Sequence, residues 1–296
     1  MFSSFHYWWL ALLVLLAFAG LNVVVRLLRN NPRLSYAIAY TIAVYLLIYK
    51  IGEYTVWQIL GHVESLSGYN PAYQMKFPVE FSAMSYVVYS IFVTFRLKKI
   101  DAFAVFTAIL AGVIYEISWI VSPDGHVGVS ENHFLSVMAV INHTLLYFGG
   151  ILLASNCRSF EVKKTVWQLL IGVAALIGYS WIIHLFTPYT DAMGKPIIIM
   201  ITDGSVLSYV AKDPSVGLKI GYFIAAAILF SLIVAGFYFL NYKTSKERLK
   251  NGGPANFNPD TWLETYVWKK NASSSPDMAI SDATITPIDG DNSPEE

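Results

Sequence analysis

Seven stretches of roughly twenty mostly apolar residues, joined by polar connections, constrain this chain more than any other feature. They run approximately from Tyr7 to Val25, Tyr36 to Leu60, Val79 to Leu97, Phe103 to Val121, Phe134 to Ala154, Val166 to Phe186 and Val216 to Leu240. At about 1.5 Å of rise per residue, a helix needs about 20 such residues to cross about 30 Å of hydrocarbon. Lipid offers no hydrogen bonds to the backbone, so a spanning segment must satisfy its own N–H and C=O groups, as a helix does. The expected fold is therefore all-α, a polytopic membrane bundle of seven transmembrane helices. The composition agrees, with 55% hydrophobic and only 14% charged residues in a chain of 296.

Basic residues set the expected orientation, because Lys and Arg gather in short cytoplasmic connections. Arg26, Arg29 and Arg33 follow the first segment, and Arg96, Lys98 and Lys99 follow the third. Arg158, Lys163 and Lys164 follow the fifth, and Lys243, Lys246, Arg248 and Lys250 follow the seventh. The alternate connections, which carry Glu64 with Lys76, Asp124 with Glu131, and a mixed set from Asp191 to Asp213, show no such excess. This pattern predicts an outside N-terminus, a cytoplasmic C-terminus and a multi-pass protein of the cell membrane. Met1 to Tyr7 lacks a basic leader, so the first segment is expected to be retained. With a net charge of zero and the basic residues committed to topology, membrane lipids are the expected partners and nucleic acid is not.

The domain division follows composition. Residues 1–250 form the membrane domain. Residues 251–296, opening on Gly252-Gly253-Pro254 and rich in Ser, Asp, Pro and Glu, are expected to be a mostly disordered cytoplasmic tail. Within that tail, residues 260–270 carry Trp262, Tyr266, Trp268 and Lys269, which suit an interfacial segment. The single cysteine, Cys157, can form no intramolecular disulfide and reads as an inert or lipidated thiol. In the long connection before the last segment, Ile197-Ile198-Ile199-Met200-Ile201 is either a re-entrant piece or an ordinary packed loop. No nucleotide, cofactor or metal-ligand spacing is present.

Polar side chains inside the apolar runs are the candidate functional residues, since such groups are costly in hydrocarbon and face protein or a watery cavity. Counting about 1.5 Å per residue places Ser82 about 6 Å, Glu116 about 8 Å, Glu53 about 10 Å, His143 about 14 Å and His184 about 3 Å below the outer surface. Lys50 and Glu53 are spaced i,i+3 and can pair, either as a structural ion pair or as part of a polar cavity that includes Asn142 and His184. His143 needs a partner for each ring nitrogen and is the type of base that activates a hydroxyl. Ser82 as nucleophile, His143 as base and Glu80 or Glu116 as orienting carboxylate compose a hydrolase-type constellation. The depths differ by about 8 Å for Ser82 and His143, a gap that helix tilt must close before they can bond.

Several of these residues fall in motifs. Phe2-Ser3-Ser4-Phe5-His6, Gly52-Glu53 with Trp57, Phe77-Pro78-Val79-Glu80-Phe81-Ser82, Asn142-His143-Thr144 and Gly204-Ser205-Val206-Leu207-Ser208-Tyr209 occur in this order. Together they resemble the YwaF family of bacterial integral membrane proteins, itself similar to a eukaryotic phospholipid acyltransferase family. The resemblance implies a lipid acyl hydrolase or acyltransferase in which Ser82 and His143 occupy the nucleophile and helix-embedded His positions. Ser82 replaces the family's Cys, and Asn142 and Thr144 replace glycines. The competing reading is a binding or transport protein in which Lys50, Glu53, Glu116 and His143 line a cavity for a solute or proton.

Overall fold

The computed structural model describes residues 8–56, 78, 80–121, 133–186, 195–209, 211 and 213–257. Phe2 to His6, Trp57, Phe77, Val79 and the segment at 260–270 lie outside the described residues. The chain divides into two units, Met1–Phe257 and Asn258–Glu296, and only the first contains described residues.

Among the described residues every regular element is helical: α1 (Trp8–Leu27), α2 (Pro32–Ile51), α3 (Phe81–Thr94), α4 (Asp101–Val121), α5 (His133–Leu152), α6 (Val162–Phe186), α7 (Ile197–Asp203) and α8 (Val216–Lys250). Single π-helical turns extend α2 through Gly52–Val56 and α5 through Leu153–Cys157. Local chemistry places the starts. The Asn31 side chain accepts from the Leu34 N–H at 3.0 Å ahead of Pro32, and Ser215 does the same for Leu218 at 3.3 Å after Pro214.

Among the described residues six helical segments are long and apolar enough to cross a membrane: α1, α2, α4, Val137–Cys157, α6 and α8. This is a multi-pass membrane protein. The third expected segment is a 14-residue helix, shorter than the span anticipated from Val79 to Leu97. Its end is set by Arg96, whose φ of 55° is left-handed and cannot continue an α-helix.

The core is built on α4 and α5, whose apolar windows are 50% and 56% buried, against 11% for α1 and α8. The peripheral helices turn large apolar side chains outward, including Leu12, Leu13 and Leu16 on α1 and Ile224, Ile228 and Leu232 on α8, which is the surface that contacts lipid. Helices in lipid associate through close van der Waals packing at small residues. At Gly112 of α4 an added Cβ would stand 2.5 Å from Tyr147 Cβ and 3.0 Å from the His143 carbonyl oxygen of α5. At Gly149 of α5 it would stand 2.1 Å from the hydroxyl of Tyr89, a fully buried α3 residue that donates to the Ala39 carbonyl of α2 at 3.0 Å.

Beyond Leu240, where the apolar run stops, α8 continues to Lys250. Asn241, Thr244, Ser245 and Arg248 recur at i, i+3, i+4 and i+7, one helix face, and all four are buried. The face caps the end of α5. Asn241 Nδ2 donates to the Ala154 and Arg158 carbonyls at 2.6 and 3.0 Å, and an Arg248 Nη donates to the Ser155 carbonyl at 2.8 Å. Arg248 also holds the Pro254 and Ala255 carbonyls at 2.9 and 2.7 Å, and the Phe257 N–H bonds the Cys157 carbonyl at 2.9 Å. The first residues of the tail are thereby packed against the bundle. Cys157 is itself buried, out of reach of a lipidating enzyme.

Gly149→Ala is expected to push Tyr89 off Ala39 and cost about 1–3 kcal/mol through overpacking. Gly221→Ala, with nothing within 4 Å of its added Cβ, should cause no loss. Thermal unfolding of the detergent-solubilised protein compares the two.

Candidate functional site

Asn142, His143 and Thr144 are consecutive on α5, and successive helical residues point about 100° apart. Because α5 packs against α1, α2, α3 and α4, each side chain meets a different surface. Asn142 Oδ1 accepts from the Tyr45 hydroxyl of α2 at 3.0 Å. Thr144 Oγ1 donates to Glu116 Oε1 of α4 at 2.5 Å, and Glu116 is only 3% exposed. His143 lies between them, 7% exposed, with its ring stacked on Tyr115 of α4 at a centroid distance of 3.6 Å and an interplanar angle of 5°. The edge of Tyr86 from α3 meets the same imidazole at 5.0 Å and 70°.

His143 Nδ1 is 2.7 Å from the Ala139 carbonyl oxygen. A carbonyl only accepts, so Nδ1 carries a hydrogen, and in the neutral ring Nε2 is the nitrogen that can take up a proton. Tyr86 also carries a cation on its ring: Lys50 Nζ lies 4.7 Å from its centroid while pairing with Glu53. Glu116 follows Tyr115 on α4 and is held by Thr144, the residue after His143 on α5. Lys50, Glu53, Glu116, Asn142 and His143 therefore form one polar centre assembled from α2, its π turn, α4 and α5, with Tyr86 of α3 at its middle.

Three anticipated residues stand elsewhere. Ser82 is half-buried on α3, one helical turn from Tyr86 on the same face, and Tyr86 is the α3 side chain against the imidazole. Glu80 occupies the cap position of α3 in extended conformation, with no side-chain cap bond. His184 sits near the end of α6 with its ring against Trp181 at 5.7 Å. Trp181 Nε1 in turn donates to Thr202 Oγ1 of α7 at 3.0 Å.

That corner shows what the apolar run before the last segment does. α7 has seven residues, too few to cross, and it buries Ile199 and Met200 while its Ile201 carbonyl accepts from Tyr222 of α8 at 3.2 Å. Gly204 ends the helix with φ 72°, a left-handed turn that glycine adopts without strain. Asp203 Oδ1 then accepts from the Ser205 N–H at 2.8 Å, and Oδ2 pairs with Lys195. Among the described residues no three His, Cys, Asp or Glu side chains converge as metal ligands.

The tyrosines were the residues that sequence reasoning passed over. Tyr45, Tyr49, Tyr86 and Tyr115 lie within the helices rather than in interfacial belts, and Tyr45 with Tyr49 repeats at i,i+4. A run of mid-helix phenols beside an intramembrane His was the available signal.

No family model matches the chain, and neither does any curated protein or solved structure.

The Lys195–Asp203 clamp carries a pH dependence. Desolvation raises the Asp203 carboxyl, but the bonds from Lys195 and Ser205 outweigh it and hold the group below its ordinary value of 3.8. A depressed carboxylate contributes stability that is complete above the ordinary value and is lost as pH falls through the lower folded one. Hydrogen-exchange protection of residues 197–209, corrected for intrinsic rates, should therefore be constant from pH 7 to 5 and fall on acidification below about 4. In Asp203→Asn that acid-dependent step should vanish.

Proposed function

We propose that this chain crosses the membrane seven times, N-terminus outside, and that its polar centre binds a small polar solute and couples occupancy to proton uptake. The observation that carries the reading is the gathering of Lys50, Glu53 and His143 at Tyr86, with Glu116 held by Thr144 next to His143 on α5, contributed by separate parts of the fold. Intramembrane ionisable groups are expensive, and a cluster of them with hydroxyl neighbours is the usual composition of a proton or solute site. His143 supplies a proton-accepting Nε2, Glu116 with Thr144 a carboxylate held by a hydroxyl, and Asn142 with Tyr45 neutral hydrogen-bonding capacity. The short α3, flanked by Pro78 on its outer side, supplies the seventh crossing in this reading. The gathering of Arg29, Arg96, Arg158 and Arg248 with the basic end of α8 at one end of the bundle supports the orientation.

A second reading keeps the likeness to the YwaF family and its acyl chemistry. It is favoured by Ser82, half-buried one turn outward of Tyr86 on the α3 face that meets His143. In it the Ser82 hydroxyl attacks a lipid ester carbonyl and His143 Nε2 takes the proton. The alcohol then leaves with that proton, and water or an acceptor hydroxyl releases the acyl group from Ser82. The imidazole and the hydroxyl must close across about one helical turn, about 5.4 Å, for this to occur.

One preparation separates the two. Proteoliposomes loaded with a pH dye should show proton entry above empty vesicles, reduced at least tenfold in His143→Gln and in Glu116→Gln and unchanged in Ser82→Ala. Absence of proton entry, together with turnover of a phospholipid ester that Ser82→Ala abolishes, overturns the solute-site reading in favour of acyl chemistry.

A further inference from the structure

A groove far from the polar centre opens between the ends of α1, α5 and α8, with room for about 340 Å³ of ligand. Its walls include Val23, Ile151 and Leu240, and its mouth carries Arg26 and Arg29. The volume is at the small end of ordinary ligand sites, and the lining is the usual mixture of apolar wall and a few polar groups.

The charges at the mouth do not balance. Arg29 pairs with Glu247 of α8 through one terminal nitrogen, while its Nε is buried without a hydrogen-bond partner. A buried donor left unmade is costly, and a guanidinium can serve several acceptor oxygens at once. Arg26 is exposed and has no ion-pair partner among the described residues. Two guanidinium groups against one carboxylate leave a single positive charge uncompensated. Of the polar groups deeper in the groove, Asn22 accepts from Tyr147 at 2.7 Å and Thr244 donates to Leu240 at 2.9 Å, while Ser155 adds a hydroxyl to the lining. The charge at the mouth is cationic and planar, at the end of a lipid-facing helix, beside an apolar wall.

We propose that this groove is a binding site for a monoanionic phospholipid, whose headgroup phosphate sits between Arg26 and Arg29 and whose acyl chain lies along Val23, Ile151 and Leu240. Phosphate oxygens match the guanidinium donors bidentately. A net single negative charge balances the mouth, as zwitterionic phosphatidylcholine does not. Basic pockets between membrane helices take anionic headgroups by the same chemistry. This site is separate from the polar centre, since Ile151 lies two helical turns along α5 from His143, about 12 Å.

Native mass spectrometry of the full-length protein in detergent, given equal phosphatidylglycerol and phosphatidylcholine, tests the proposal. The expected result is retention of one phosphatidylglycerol with at least a tenfold preference. That preference should fall to near parity in Arg26→Gln, in Arg29→Gln and in Leu240→Trp, which fills the groove. If Arg29→Gln loses the Glu247 pair and does not fold, Arg26→Gln and Leu240→Trp decide alone. Equal retention of the two lipids, or a preference that survives both of those variants, overturns the proposal. So does displacement of the lipid by millimolar inorganic phosphate, which would make the site one for the free anion.

Discussion

Every polar group carried into hydrocarbon must find a partner within the protein, and in this molecule that demand falls on α5. Asn142, His143 and Thr144 are costly against lipid, so the faces of α5 that carry them have to be covered. Its neighbours are chosen accordingly: Tyr45 from α2, Glu116 and Tyr115 from α4, and Tyr86 from α3. The approach of α4 needed to bring Glu116 onto Thr144 is what Gly112 permits, by leaving room for Tyr147 and the α5 backbone. Packing and polar satisfaction are here the same constraint seen from two sides.

The other end of α5 meets the requirement differently. A helix ends with carbonyls that have no intrahelical partner, and at a buried end these must be capped. The π turn Leu153–Cys157 presents its carbonyls to Asn241 and Arg248, while the Asn156 amide reaches back to the Val25 carbonyl at 2.9 Å and the Ser35 hydroxyl at 3.0 Å. One arginine thus ties α5, α8 and the Pro254-Ala255 strap into a single joint. The groove at Arg26 and Arg29 borders this joint, where a bound lipid would brace α1 against α8.

Much of the fold is legible in the amino-acid sequence. The helical segments lie where the apolar runs put them, because a run of about twenty such residues in lipid has few other options. Departures occur where local side chains override hydropathy: α3 stops at the left-handed Arg96, and α8 runs past Leu240 on a buried polar face. Within the site, Asn142, His143, Glu116, Lys50 and Glu53 stood out as polar intrusions. Tyr86 and Tyr115 did not, since a phenol is unremarkable to a hydropathy pattern and its role depends on the ring it stacks against. Depth along a helix was countable, but rotation about its axis and the pairing of helices were not.

By itself, then, the sequence determined that the chain is a helical membrane protein, which segments are apolar, and which few side chains could not be left in lipid. These are properties of single segments against a uniform solvent, and composition decides them. Only the tertiary structure decided which intrusions meet: Lys50 over Tyr86, His143 against Tyr115, Thr144 on Glu116, Arg248 on the end of α5. Those pairings depend on how closely neighbouring helices approach and which faces they turn to each other, a balance of packing and hydrogen bonding among residues far apart in the chain.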